Sequence, residues 1–218
     1  QGTKNSSDVT RNAARAVAEA IGCDYAEWEV DQFVEGYEST IESVMGRSLS
    51  WKQDDITRQN IQARVRAPGI WMMANIRNSL LLATSNRSEA AVGYATMDGD
   101  TSGGLSPIAG IDKHYLREWL RWMETTGLPE SGPISALSHI NVQNPTAELR
   151  PQSNKQTDEE DLMPYPVLDT MERAAIRDKK GPKDVLKVVL LAYPEFSNEK
   201  LKEWTIKFFK LWCRNQWK

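Results

Sequence analysis

Cysteine and histidine are scarce: the 218 residues hold 2 of each. Cys23 and Cys213 stand far apart with no CxxC partner, which argues against a disulfide framework. With His114 and His139 they form no zinc site of the usual ligand spacing. So few thiols point to a reducing compartment, and a cytoplasmic protein is the expectation. Long apolar runs are missing as well. Ile70–Ile76 and Val188–Tyr193 are core-sized, far short of the ~20 residues a membrane helix needs. No signal peptide pattern opens the chain. There is no basic excess either. Lys plus Arg is 27 against Asp plus Glu 30, a net charge of -3. That argues against a non-specific nucleic-acid binder while leaving room for a local basic site. Neither nucleic acid nor membrane is an expected partner.

What is present is an ordinary globular balance, 40% hydrophobic and 26% charged. The length suits one large domain or two small ones and buries a real core. No internal repeat is visible. The chain opens on Gln1 rather than Met and stops on Lys218 inside a helical pattern, so a trimmed domain is expected.

Val9, Ala13, Val17 and Ile21 recur every four residues and predict a helix over 7–21, with Gly22 as its C-terminal stop. Ala26, Trp28 and Val30 alternate with Glu27 and Glu29, which predicts a half-exposed strand over Tyr25–Val30. A second helix is expected over Asp31–Val44 and a loop over Gly46–Gln53. Residues 55–77 carry one long helical pattern, with a kink expected at Pro68-Gly69. Leu80–Ala83 is a continuous apolar run, expected as a strand covered on both faces. It leads through Thr84 into a helix start at Ser85–Glu89, the turn of a parallel α/β sheet, where ligands bind. Tyr94–Ile111 reads as a loop, Asp112–Glu124 as a helix, and 127–166 as Pro-rich irregular chain. Helices over 167–178, 183–192 and 198–217 complete an α/β class.

Five constellations carry chemistry. Thr84–Glu89 puts free N–H groups where phosphate binds, with a carboxylate fit for Mg²⁺. Asn86 with Glu89 is equally a capping box that needs no ligand. Asp98–Gly104 imitates an EF-hand opening, but position twelve is Ala109 instead of Glu. Ser102-Gly103-Gly104 imitates a Ser-Gly-Gly-x-Asp-Ser loop, but Leu105-Ser106 lack the aspartate. Both matches fail, and a plain flexible loop stands as the alternative. Lys113, behind Asp112 as cap, opposes its helix dipole and so hints at an anion, or is simply a surface lysine. Asn60 and Arg64 share a helical face. They offer a fork for phosphate or carboxylate, or belong to a solvated face with Arg58 and Arg66. Last, Leu201, Trp204, Phe208 and Leu211 form a stripe flanked by lysines, the pattern of a docking helix.

Four stretches, in order, resemble the NAD synthetase family of ATP pyrophosphatases. They are Asn60–Arg66, then Ala83–Glu89 with Val92-Gly93-Tyr94, then Gly99–Lys113, then Asn144–Leu149 continuing into Gln156–Glu159 and Leu162–Tyr165. Ordered motifs are far more specific than any one alone. The resemblance implies a Rossmann-like parallel sheet between helices, with a helical C-terminal part, in a homo-oligomer of at least two copies. It implies ATP and Mg²⁺ as cofactors. Thr84, Lys113 and Thr146 would bind ATP. Asn60, Arg64, Glu89 and Lys218 would contact deamido-NAD, and Glu89 would also hold the metal. Shorter, ammonia-using members place a lysine at Met97 and an aspartate at Gly104. Those departures, with Trp204–Lys218, favour the glutamine-dependent branch, in which a glutaminase domain supplies ammonia.

The implied reaction adenylates the deamido-NAD carboxylate, releases pyrophosphate, and lets ammonia displace AMP. Residues 1–218 would be the C-terminal portion of the synthetase domain, truncated at both ends. They contain no Ser-Gly-Gly-x-Asp-Ser loop and no glutaminase domain, so the chain alone is expected not to turn over. A related ATP-pyrophosphatase amidotransferase, such as a GMP synthetase or a tRNA-modifying ligase, is the competing enzyme. A nucleotide-binding module without catalysis is the competing non-enzyme.

Overall fold

The structure is a computed structural model that describes residues 1–151, 153 and 157–215. Its first half is α1 (Asp8–Ala20), α2 (Asp31–Met45), α3 (Trp51–Arg64), α4 (Arg66–Arg77), α5 (Arg87–Val92) and α6 (Lys113–Thr125). Then come the short turns α7 (Ser138–Asn141) and α8 (Asp158–Asp161), followed by α9 (Tyr165–Glu172), α10 (Pro182–Ala192) and α11 (Asn198–Arg214). A π-helical turn, Arg173–Arg177, extends α9.

The caps explain where several helices begin. Ser7, Ser50, Asp112 and Ser197 each accept a backbone N–H from the first turn of α1, α3, α6 and α11. Such a bond satisfies one of the orphan donors at a helix start. The cap at Ser50 shortens the loop expected over Gly46–Gln53. The break in the 55–77 pattern also moves. It lies at Val65, and Pro68 sits in the first turn of α4. Proline lacks the N–H that would reach the carbonyl of Arg64, and its ring crowds that carbonyl, so the helix must end upstream of it.

The core lies in the C-terminal half. Val167, Leu168, Met171, Val185, Val189, Leu201 and Phe208 are fully buried where α9, α10 and α11 meet, and Val92 of α5 packs into them. This is the stripe expected of α11, seated as a docking helix. Lys207 carries its charge along the same face to donate to the Asp161 carbonyl at 2.7 Å. A smaller cluster of Val30, Val34 and Val65 closes the other end.

The parallel sheet is represented only in fragments. Among the described residues there are isolated bridges and no extended ladder: Gly2 to Glu29 and Leu82 to Leu105, both parallel, and an antiparallel one from Leu128 to Gly132. Tyr25–Val30 pairs only around Glu29, through Gly2 N to Trp28 O and Val30 N to Gly2 O. Leu80–Ala83 is not covered on both faces. Leu80 is 64% exposed and Leu82 50% on one face, while Ala83 on the opposite face is buried.

Candidate active site

Two local motifs build the floor of the site. Asn86 caps α5 and forms a complete capping box with Glu89. Asp112 caps α6 by accepting from Tyr115 N at 2.9 Å, which leaves Lys113 as the first helical residue. The two helix starts are then tied together. Lys113 N donates to Ser88 Oγ at 2.8 Å, and Ser88 donates to the buried Asp169 of α9 at 2.5 Å. The other Asp169 oxygen accepts from His114 N at 2.9 Å. Burial pushes the Asp169 carboxyl up to about 6 against these bonds.

This clamp places Lys113 Nζ 2.9 Å from Glu89 Oε1, in a partly buried ion pair. The ammonium also stands 5.9 Å over the Tyr165 ring. Tyr165 donates to Asp158 Oδ2 at 2.8 Å, while Asp158 Oδ1 is buried with no hydrogen-bond partner among the described residues. Burial raises the Asp158 carboxyl above its ordinary value, and Glu89 and Asp161 add to the shift while Tyr165 and Lys113 oppose it.

Thr84, Glu89, Lys113 and Thr146 line one cavity of about 330 Å³, so four of the residues singled out in the sequence converge. Arg66, Tyr94, Asp100 and Asp158 share its wall. An adjoining cavity of about 160 Å³ is lined by Asn60 and shares Tyr94, Asp100, Ala147 and Leu149 with the first. A third, of about 320 Å³, shares Lys113, Pro145 and Thr146 and is walled by Ala13, Ala14 and Leu120. Lys113 and Thr146 therefore stand between a polar and a more apolar space.

Asn60 and Arg64 do share a face, and it faces the glycine loop. Thr96 donates to Asn60 Oδ1 at 2.9 Å, and Arg64 Nε donates to the Met97 carbonyl at 3.1 Å. Arg64 is otherwise exposed and lines none of the three cavities. Lys218 and Gln156 lie outside the described residues.

Arg66, Tyr94, Asp100 and Asp158 lay within the stretches quoted from the sequence but were given no site role there. For Arg66 the reason is geometric. Read as one helix, 55–77 puts it on a solvated face, but the break at Val65 redirects it into the cavity. Asp158 carried a weak signal as part of the Gln156–Glu159 motif, although its partner Tyr165 is only visible in three dimensions.

Among the described residues no group of three or more His, Cys, Asp or Glu gathers as a metal cage. A magnesium ion needs less, since it binds through one or two carboxylates, waters and substrate phosphates. Glu89 and the unpartnered Asp158 oxygen fit that donor set.

The NAD synthase family profile matches residues 2–207. A glutamine-dependent NAD(+) synthetase from Rhodobacter capsulatus is 36% identical over 142 residues, 63% of this chain and 25% of that protein. The crystal structure of a glutamine-dependent NAD(+) synthetase from Cytophaga hutchinsonii superposes with a TM-score of 0.82 at 45% identity, covering 100% of this chain and 33% of that one. An NMN synthetase from Francisella tularensis shares the fold at 18% identity, with a TM-score of 0.70 over 99% of this chain and 72% of its own. The chain thus spans a quarter to a third of the length of the glutamine-dependent relatives. With a match across most of its length, the chain belongs to the NAD synthase family.

Proposed function

We propose that this chain is the portion of a glutamine-dependent NAD synthetase that joins ATP to deamido-NAD, a ligase activity. A pyridine carboxylate is a poor acyl donor. Attack of its oxygen on the α-phosphorus of ATP forms an acyl adenylate and expels pyrophosphate. Ammonia then attacks the acyl carbon, loses a proton, and expels AMP. Both steps develop negative charge on phosphate oxygens, so cations and N–H donors contribute more than a general base.

The observation that carries this reading is the convergence of Lys113, Glu89, Thr84 and Thr146 on one cavity. Lys113 would leave Glu89 for the phosphates, and Thr84 and Thr146 would donate hydroxyls to them. Magnesium, held through Glu89 and Asp158, supplies Lewis-acid charge when bound. Asn60 and Arg64 would set the loop that meets deamido-NAD, and Lys218 would add a cation to that ligand. The two parallel bridges support the Rossmann-like sheet of the adenine nucleotide alpha hydrolase type. Ammonia from a glutaminase domain, a homo-oligomer and a cytoplasmic location belong to the same reading. Among the described residues no helix is long and apolar enough to cross a membrane.

The test is AMP and NAD formation by the natural full-length protein supplied with ATP, magnesium, ammonia and deamido-NAD. Lys113→Met is expected to lower kcat/KM by about 10²-fold or more, the scale of removing one charge-stabilising donor. A Lys113→Met protein with unchanged kinetics would refute the assignment.

A further inference from the structure

We propose that Arg66 is a phosphate-binding residue of the main cavity, a guanidinium kept free for the oxygens of a bound nucleotide. The proposal rests on the functional reading above and adds a residue to it.

Several half-buried cations of this protein are already paired. Arg58 forks onto Glu38, Arg150 reaches Asp55 and Asp161, Arg87 reaches Asp112 and Glu172, and Lys113 holds Glu89. Arg66 differs. Its side chain lines the cavity beside Lys113, and its Nε is buried without a hydrogen-bond partner among the described residues. The carboxylates that act on it, Asp100 and Glu148, do so at longer range. Each is occupied: Asp100 accepts from Thr96 N at 2.7 Å, and Glu148 from the hydroxyls of Ser7 at 2.7 Å and Thr10 at 3.0 Å.

Two costs follow. Burying Nε without a partner is destabilising, and arginine cannot escape by losing its proton. Burial does pull Arg66 below its ordinary value, but from a range so high that it stays charged. It is also the first residue of α4, where a positive side chain opposes the helix dipole. A planar fork on the cavity wall, half-buried and with its Nε already out of water, suits the paired oxygens of a phosphate. The carboxylates of Glu89, Asp100 and Asp158 on the same wall make the cavity mixed in sign rather than simply positive. That mixture fits a magnesium–phosphate ligand better than a bare anion. The phosphates come from ATP or from the pyrophosphate bridge of deamido-NAD, and the two are separable by experiment.

Arg66→Met and Arg66→Lys in the natural full-length protein test this, by calorimetry with ATP plus magnesium and, separately, with deamido-NAD. Arg66→Met is expected to weaken one or both ligands at least tenfold while unfolding at the same or a higher temperature. The ligand that weakens identifies the source of the phosphate. Arg66→Lys keeps a point charge without the fork and should fall between. Retention of both affinities within tenfold in Arg66→Met overturns the proposal. So does a lowered unfolding temperature that accompanies the loss, because that marks a structural strut. Wild-type protein that binds neither ligand overturns the functional reading, and the Arg66 role with it.

Discussion

Glu89 shows how one residue carries both readings that its sequence left open. It closes the capping box of α5 with Asn86, and it is the counter-ion of Lys113 at 2.9 Å. The box was legible because both partners lie within one turn of helix. The ion pair was not, because Lys113 arrives from 24 residues away through the Ser88–Asp169 clamp. The two roles separate in Glu89→Gln. The amide oxygen still accepts from Asn86 N, so stability should change by less than about 1 kcal/mol. The negative charge is gone, so NAD formation by the full-length protein should drop at least tenfold. An urea midpoint that falls sharply with kinetics intact would leave Glu89 as a cap and nothing more.

At the scale of elements, the segment that looked most like a plain loop is among the most constrained. Thr96 and Met97 are held by Asn60 and Arg64. Gly104 N then donates to the Leu81 carbonyl, and Ala83 N to the Leu105 carbonyl, both at 2.8 Å. The glycine content was visible in the sequence, but its use was not, since the partners lie about twenty to thirty-six residues upstream. Gly103 is required by close approach: a Cβ there would stand 2.2 Å from Ala83 N and 2.6 Å from the Leu82 carbonyl carbon. Backbone cannot swing aside as a side chain can. Gly103→Ala should therefore destabilise by about 2–4 kcal/mol, in the range of overpacked or strained sites. Gly110→Ala, where a Cβ would meet nothing within 4 Å, should stay within about 0.5 kcal/mol. Equal unfolding midpoints for the two variants would show that the loop yields.

Across the whole molecule, what the sequence revealed follows from the range of the forces involved. Helix positions came through well, because periodicity and caps are local; even the misplaced break needed only the proline's missing bond to Arg64. The α9–α10–α11 core came through as apolar stripes. The expected cover of Leu80–Ala83 on both faces did not, because a strand's surroundings depend on neighbours that its own residues do not encode, and Leu80, Leu82 and Leu105 are each at least half exposed. Phe33, Tyr37, Ile41 and Val44 add an exposed apolar row along α2. The cavity that joins Lys113 to Glu89 is present within these 218 residues, yet they contain no Ser-Gly-Gly-x-Asp-Ser loop to supply backbone N–H groups for pyrophosphate. Phosphate held by two side-chain cations without such a cradle lacks the preorganised donors that carry most of the rate. We therefore expect the isolated 218-residue chain to release AMP at no more than about one hundredth the rate of the natural protein under the same ATP, magnesium, ammonia and deamido-NAD. A matched assay of the two, with circular dichroism to establish that the isolated chain is folded, decides the matter. Turnover of the isolated chain at the natural rate would mean that Lys113, Arg66 and the helix starts suffice, and that the missing cradle is dispensable.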